Sequence, residues 1–109
     1  MHYREYGKTG KELSVIGFGG MRFTEDEDEG IRTMLRASEL GINYFDTAPH
    51  YCKDRSEIIF GKAFKEFTKP FYVSTKSSIG EEKTADDVRR RVDAALERLG
   101  TEKIHFFHM

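Results

Sequence analysis

Three residues of this chain have types and positions that together could move a proton: Asp46, Tyr51 and Lys76. A free tyrosine has a pKa of about 10, so it gives up its proton at neutral pH only where a nearby cation stabilises the phenolate. Lys76 is a candidate for that cation. An aspartate paired with the lysine would hold the ammonium in place and keep it charged in a partly dry pocket, where a lone charge is unfavourable. A tyrosine in such a setting can protonate a carbonyl oxygen while hydride reaches the carbon.

The elements that must position this trio can be read from pattern. Asn43-Tyr-Phe-Asp-Thr-Ala48 reads as a strand stopped by Pro49, and Ser56-Glu57 opens a helix whose apolar positions Phe60, Ala63, Phe64 and Phe67 follow helical spacing. Asp46 therefore stands near the C-terminal end of a strand and Tyr51 on the loop after it. Phe71-Tyr-Val-Ser-Thr-Lys76, following the break at Lys69-Pro70, is a strand rich in β-branched and aromatic residues. In βα architectures the loops after the strands gather at one face of the sheet and carry the functional groups.

Upstream, Gly7 and Gly10 flank Lys-Thr between two short extended segments, which predicts a hairpin. Val15-Ile16-Gly-Phe-Gly-Gly20 reads as a buried strand ending in glycines, with close packing a better reason for those glycines than a phosphate cradle, since the G-x-G-x-x-G form is missing. Thr24 and five consecutive acids, Glu25 to Glu29, precede an apolar pattern of Ile31, Leu35 and Ser38 with Met34 and Leu40 beside it. Acids there suit the positive end of a helix dipole, and consecutive residues fan around a helix rather than converging on a metal. Thr84-Ala-Asp-Asp87 resembles a capping box. Val88, Val92, Ala95, Leu96 and Leu99 then supply the stripe of a helix that ends at Gly100. Lys103 to Met109 begins a fourth strand.

A hairpin, three strand and helix pairs and a further strand argue for a parallel sheet with right-handed crossovers. Four parallel strands suit a small open sheet or the first half of an eight-stranded barrel, which needs about 250 residues. The 109 residues, 38% hydrophobic, hold one domain at most with a modest core. A formal charge of −1 makes nucleic acid and anionic membranes poor partners. No apolar run approaches the roughly 20 residues of a membrane span. The start Met-His-Tyr-Arg-Glu lacks a signal-peptide core and the one cysteine, Cys52, has no internal partner, so a cytoplasmic protein is expected. Cys52 reads as an inert thiol at a pocket edge. His105 and His108, three apart on a strand, face opposite sides, and no metal site is expected.

Taken together, these motifs resemble the N-terminal part of the aldo-keto reductase family. Tyr3-Arg-Glu-Tyr-Gly-Lys-Thr-Gly with Leu13-Ser-Val-Ile-Gly-Phe-Gly-Gly-Met-Arg22 is similar to the family's opening hairpin and first strand. Gly41-Ile-Asn-Tyr-Phe-Asp-Thr-Ala48, with Tyr51, Ser56-Glu57 and Gly61, resembles its most recognisable signature. Val73-Ser-Thr-Lys76 and Val92 to Gly100 resemble the third strand and third helix. The resemblance covers residues 1–109 and implies a partial aldo-keto reductase domain: an N-terminal hairpin, the first three βα units and the fourth strand of a (β/α)8 TIM barrel. It implies an oxidoreductase that reduces aldehydes or ketones with NADPH and takes a small carbonyl substrate.

By the same resemblance Tyr51 is the general acid, Lys76 lowers its pKa, Asp46 pairs with Lys76, and Gly20, Met21, Arg22 and Asp46 lie at the nicotinamide and ribose end of the cofactor. The family's fourth site residue, a carbonyl-orienting histidine, falls by register at position 110, so His108 comes about two positions early. Phosphate sites in such barrels lie after the seventh and eighth strands. The chain alone is therefore expected to bind NADPH poorly and to be inactive. A non-catalytic half barrel that associates with itself through open sheet edges is the alternative, and strands this apolar, covered on both faces in a barrel, would make it a poorly soluble monomer.

Overall fold

The computed structural model describes residues 1–78 and 80–109. Strands β1 (Tyr3–Glu5) and β2 (Glu12–Ser14) form the antiparallel hairpin. Gly7 and Gly10 both take positive φ in the turn between them, the conformation that only glycine adopts cheaply. There follow β3 (Phe18–Gly19), helix α1 (Glu27–Glu39), β4 (Tyr44–Asp46), α2 (Ser56–Phe64), β5 (Tyr72–Lys76), α3 (Ala85–Leu99) and β6 (Phe106–His108). The four later strands form one sheet in the order β3-β4-β5-β6, every pair parallel. β3 and β6 are its two edges.

The alternation of side chains on these strands separates two faces. Phe45 and Val73 are fully buried with Met34, Phe60, Ala63 and Leu99 in the layer between sheet and helices. Phe45 packs edge-on against the rings of Phe60, Phe64, Phe67 and Phe71, an arrangement favoured by the ring quadrupoles. Gly61 lets α2 press onto the end of α3: a methyl group there would stand 2.4 Å from the Arg98 carbonyl oxygen. The opposite face carries Tyr44, Asp46, Ser74, Lys76, Phe106 and His108, a mixed polar and aromatic surface. The expectation of strands apolar on both faces is therefore corrected. One face is core, and the other is built from groups that hydrogen-bond with each other.

Helix boundaries follow the caps. Asp26 caps α1 by accepting from the Glu29 amide, so the acid run straddles the helix start, with Glu27, Asp28 and Glu29 in the first turn. The buried side of α1 is Gly30, Met34, Ala37 and Ser38, and Leu40 is 56% exposed. The expected stripe was therefore rotated by about one position. Thr84 and Asp87 form the reciprocal capping box of α3, and Gly100 ends that helix in the left-handed region. Of the α3 stripe only Ala95 and Leu99 are buried. Val88, Val92 and Leu96 are half-buried. Phe67 packs into the core from beyond the end of α2.

The expected buried strand from Val15 to Gly20 is also corrected. Only Phe18 and Gly19 pair, and Val15 and Ile16 are 53% and 57% exposed. The segment leads into an edge strand, where no further strand lies beyond it. Among the described residues no helix is long and apolar enough to cross a membrane.

Candidate active site

Asp46, the last residue of β4, and Lys76, the last of β5, lie side by side at the C-terminal end of the sheet because the two strands pair in register, Asp46 opposite Ser74. The Lys76 ammonium donates to both carboxylate oxygens of Asp46 at 2.7 Å and to the Thr47 carbonyl at 2.8 Å. All three of its protons are thereby directed into the protein. The two side chains remain 28% and 30% exposed, at the rim of an opening also lined by Gly17, Gly19, Tyr44 and His108.

Tyr51 sits half-buried on the loop after β4, and the Lys76 ammonium stands 5.3 Å from its ring centroid, within the range of cation–π attraction. The trio singled out from residue type is thus brought together. The aspartate holds the lysine by ion pair, and the lysine meets the tyrosine through its ring.

Two partners escaped the reading of the sequence. Ser74 donates to Asp46 Oδ1 at 2.5 Å and also lies 3.0 Å from the Tyr44 hydroxyl. Parity was the available signal: Ser74 precedes Lys76 by two and Tyr44 precedes Asp46 by two, so each pair shares a strand face. Burial first, and then the neighbouring Asp46 charge, push the Tyr44 phenol above its ordinary value against the opposing Ser74 hydrogen bond, so it stays neutral in the opening.

The loop carrying Tyr51 has an unusual backbone. Cys52, Lys53 and Asp54 have φ of 55°, 54° and 66°. Three successive non-glycine residues in the left-handed region cost roughly 1 kcal/mol or more each, and of these only aspartate visits it readily. The turn closes by hydrogen bonds from the Arg55 amide to the Cys52 carbonyl and from the Ser56 amide to the Tyr51 carbonyl, both 3.1 Å. Cys52 Sγ lies 3.4 Å from the carbonyls of Gly20 and Met21. His50 bridges two acids, Nδ1 2.7 Å from Asp54 and Nε2 2.9 Å from Glu81. The Asp54 hydrogen bond is the main cause that raises the His50 pKa above its ordinary value.

Ser56 and Glu57, expected to open α2, do more than that. Arg55 occupies the cap position without capping the helix, its side chain donating to Glu27. Ser56 Oγ instead donates to the Gly20 carbonyl and pairs with Thr47 Oγ1, sewing β3, β4 and α2 together. Glu57 is fully buried. Its Oε1 accepts from Thr75 Oγ1 at 2.6 Å and its Oε2 from Arg91 at 2.8 Å. Arg98 Nε also stands 3.0 Å from Oε2, off the line of its N–H, which makes that contact an ion pair rather than a hydrogen bond.

Of the residues expected at a cofactor, Gly20 is buried and Met21 and Arg22 are exposed at the rim. A methyl group on Gly20 would meet Phe60 and Ser56 at 2.5 Å, so close packing explains that glycine. At Gly19, which lines the opening with Asp46, a methyl group would meet nothing within 4 Å. Of the four residues expected at the cofactor, Asp46 lines this opening. His108 pairs in register with Lys76 and lines the same opening, while His105 lies at the other end of its strand, accepting from the Val73 amide at 3.1 Å. Burial lowers the His105 pKa. Among the described residues no three His, Cys, Asp or Glu groups converge as for a metal ion.

A parallel sheet with helices on one face and a carboxylate, ammonium and phenol at its C-terminal edge is the architecture of an α/β-barrel enzyme half. The profile of the Aldo/keto reductase family matches residues 15–109, and the chain belongs to that family. It is 34% identical over 96% of its length to the L-galactose dehydrogenase of Arabidopsis thaliana, and 34% identical over all of it to an aldo-keto reductase of Bacillus subtilis. It superposes on the holo form of an aldo-keto reductase from Bacillus halodurans with a TM-score of 0.86 over 98% of its residues, at 32% identity. The chain spans 36% and 38% of those curated relatives and 39% of that solved chain, so its fold is half of a (β/α)8 barrel.

Proposed function

We propose that this chain supplies the catalytic acid of an NADPH-dependent reductase of aldehydes or ketones, with Tyr51 as proton donor, Lys76 as the cation beside it and Asp46 as the anchor of Lys76. The observation that carries the reading is the ammonium of Lys76, gripped by both oxygens of Asp46 and set against the Tyr51 ring at the mouth of the sheet. A carbonyl oxygen gains negative charge as it is reduced. Tyr51 protonates that oxygen, and the fixed ammonium stabilises the phenolate left behind.

Bound NADPH supplies the hydride. Gly19, Gly20, Met21, Arg22 and Asp46 would hold its nicotinamide end, with Gly19 leaving room for the ring. In the protein that contains this chain, Tyr51→Phe should lower aldehyde turnover by about 10² to 10⁴ with cofactor affinity unchanged. Full turnover in that variant would remove Tyr51 from the role of acid.

Spanning little more than a third of its relatives, the 109-residue chain is expected to be inactive by itself. A second reading, a non-catalytic half barrel that pairs with its own copies, draws on the edge strands β3 and β6 and on exposed Val15 and Ile16 beside one of them. Size-exclusion chromatography of the chain combined with NADPH fluorescence titration separates the two readings. A dimer without quenching supports the second, and quenching at micromolar NADPH shows a cofactor site already formed.

A further inference from the structure

We propose that Arg98 is a positioning residue for Tyr51: it holds the left-handed turn Cys52–Asp54 in place through the Asp54 carbonyl, and is itself fixed by the buried carboxylate of Glu57. The proposal rests on Tyr51 being the acid and says what keeps that acid beside Lys76. Arg98, on the last turn of α3, donates through Nη2 to the Asp54 carbonyl oxygen. Its Nε stands 3.0 Å from Glu57 Oε2. Glu57 cannot drift, because it is wholly enclosed and held at its other oxygen by Thr75, the residue before Lys76 on β5. A continuous set of contacts therefore runs from the strand bearing Lys76, through Glu57 and Arg98, to the turn that follows Tyr51.

The turn requires such a hold. Three consecutive left-handed residues without a glycine relax to ordinary backbone unless surrounding contacts over-determine them. Among the described residues the backbone hydrogen bonds of the turn join its own ends, Cys52 to Arg55 and Tyr51 to Ser56, and these would survive a rigid swing of the loop, while the Cys52 thiol makes only weak contacts with the Gly20 and Met21 carbonyls. From the α3 side it is Arg98 that reaches the backbone of the turn. The His50 contacts to Asp54 and Glu81 are exposed side-chain pairs. The two contacts leave from separate nitrogens, Nη2 and Nε, of one rigid planar group, and the single nitrogen of a lysine does not reproduce that span.

The chain carries its own reporter, because its single thiol, Cys52, lies inside the turn with Sγ against the Gly20 and Met21 carbonyls. Labelling of Cys52 by an aromatic disulfide reagent should quicken about tenfold in Arg98→Ala, and the quickening should be independent of urea below the unfolding transition, the mark of local rather than global opening. Arg91→Ala, which removes the other arginine of Glu57 without touching the turn, should change the urea-independent rate by less than about twofold.

In chains carrying 3-fluorotyrosine, the ¹⁹F resonance that vanishes in Tyr51→Phe should move toward the free amino acid's position in Arg98→Ala and stay in place in Arg91→Ala. Arg98→Lys should resemble Arg98→Ala in both readouts, and it serves as the test if the alanine variant does not fold. A native labelling rate and an unmoved Tyr51 resonance in a folded Arg98 variant would overturn the proposal. Neither readout uses turnover, so their failure leaves Tyr51 as the acid, and full activity of Tyr51→Phe leaves the hold on the turn standing.

Discussion

Two of the carboxylates paired with cations in this half barrel, Asp46 and Glu57, sit in opposite surroundings. Asp46 and Lys76 meet at the open mouth of the sheet, each with more than a quarter of its side chain exposed, whereas the Glu57 carboxylate is fully enclosed behind the sheet and only its partners Arg91 and Arg98 reach toward water. An ion pair at the mouth keeps water within reach of its charge, which the Thr47 carbonyl also shares. The enclosed Glu57 carboxylate has no such recourse. Removing its arginines would leave its charge in a medium that cannot solvate it. Exposure, more than residue type, separates a reactive pair from a structural one.

Substitutions can sharpen or break that contrast. Glu57→Ala, which empties the enclosed site and frees Thr75, Arg91 and Arg98 at once, should destabilise the chain by up to about 3–5 kcal/mol, read as a drop in the urea midpoint. A loss near that expected for an exposed pair would end the distinction. Thr75→Val, which removes the hydroxyl donor to Glu57, should cost about 1.5–3 kcal/mol in the same measurement. Lys76→Met should cost only about 1 kcal/mol of stability, given solvent screening at the mouth, yet remove most turnover in the protein that contains this chain. Equal stability losses in Lys76→Met and Glu57→Ala would show both pairs to be structural.

His50 should give the smallest effect. Its pKa is raised in the folded chain by Asp54 and Glu81, so its contribution is fully present below the ordinary histidine value of about 6.5 and is lost as the pH rises through the raised value. Thermal midpoints of the chain and of His50→Gln should therefore differ slightly below the ordinary histidine value and converge once the pH has passed the raised one. A gap that persists at high pH would show that the charged form is not what stabilises the loop.

Much of this was legible one segment at a time. The hairpin glycines, the capping box of Thr84 and Asp87, Gly100 as a helix stop, and the strands carrying Asp46 and Lys76 are local features, and short-range sterics and hydrogen bonding decide them. The α1 stripe differs from expectation because Ile31, Leu35 and Ser38 fit a helical period as well as Gly30, Met34 and Ala37 do, and only packing against α2 selects the buried side. Val15 and Ile16 read as core because they are β-branched, and they are exposed because the sheet ends beside them.

Glu57 illustrates the limit most clearly. As a letter after Ser56 it marks a helix start, and its burial depends on Arg91, 34 residues further along, and on Thr75 from another strand. The sequence by itself determined which chemistry is available: an acid, a cation and a carboxylate near strand ends, in an order that resembles one family. Only the tertiary structure decided which carboxylate stays open to water and which is enclosed, because water is excluded by elements far apart in the chain.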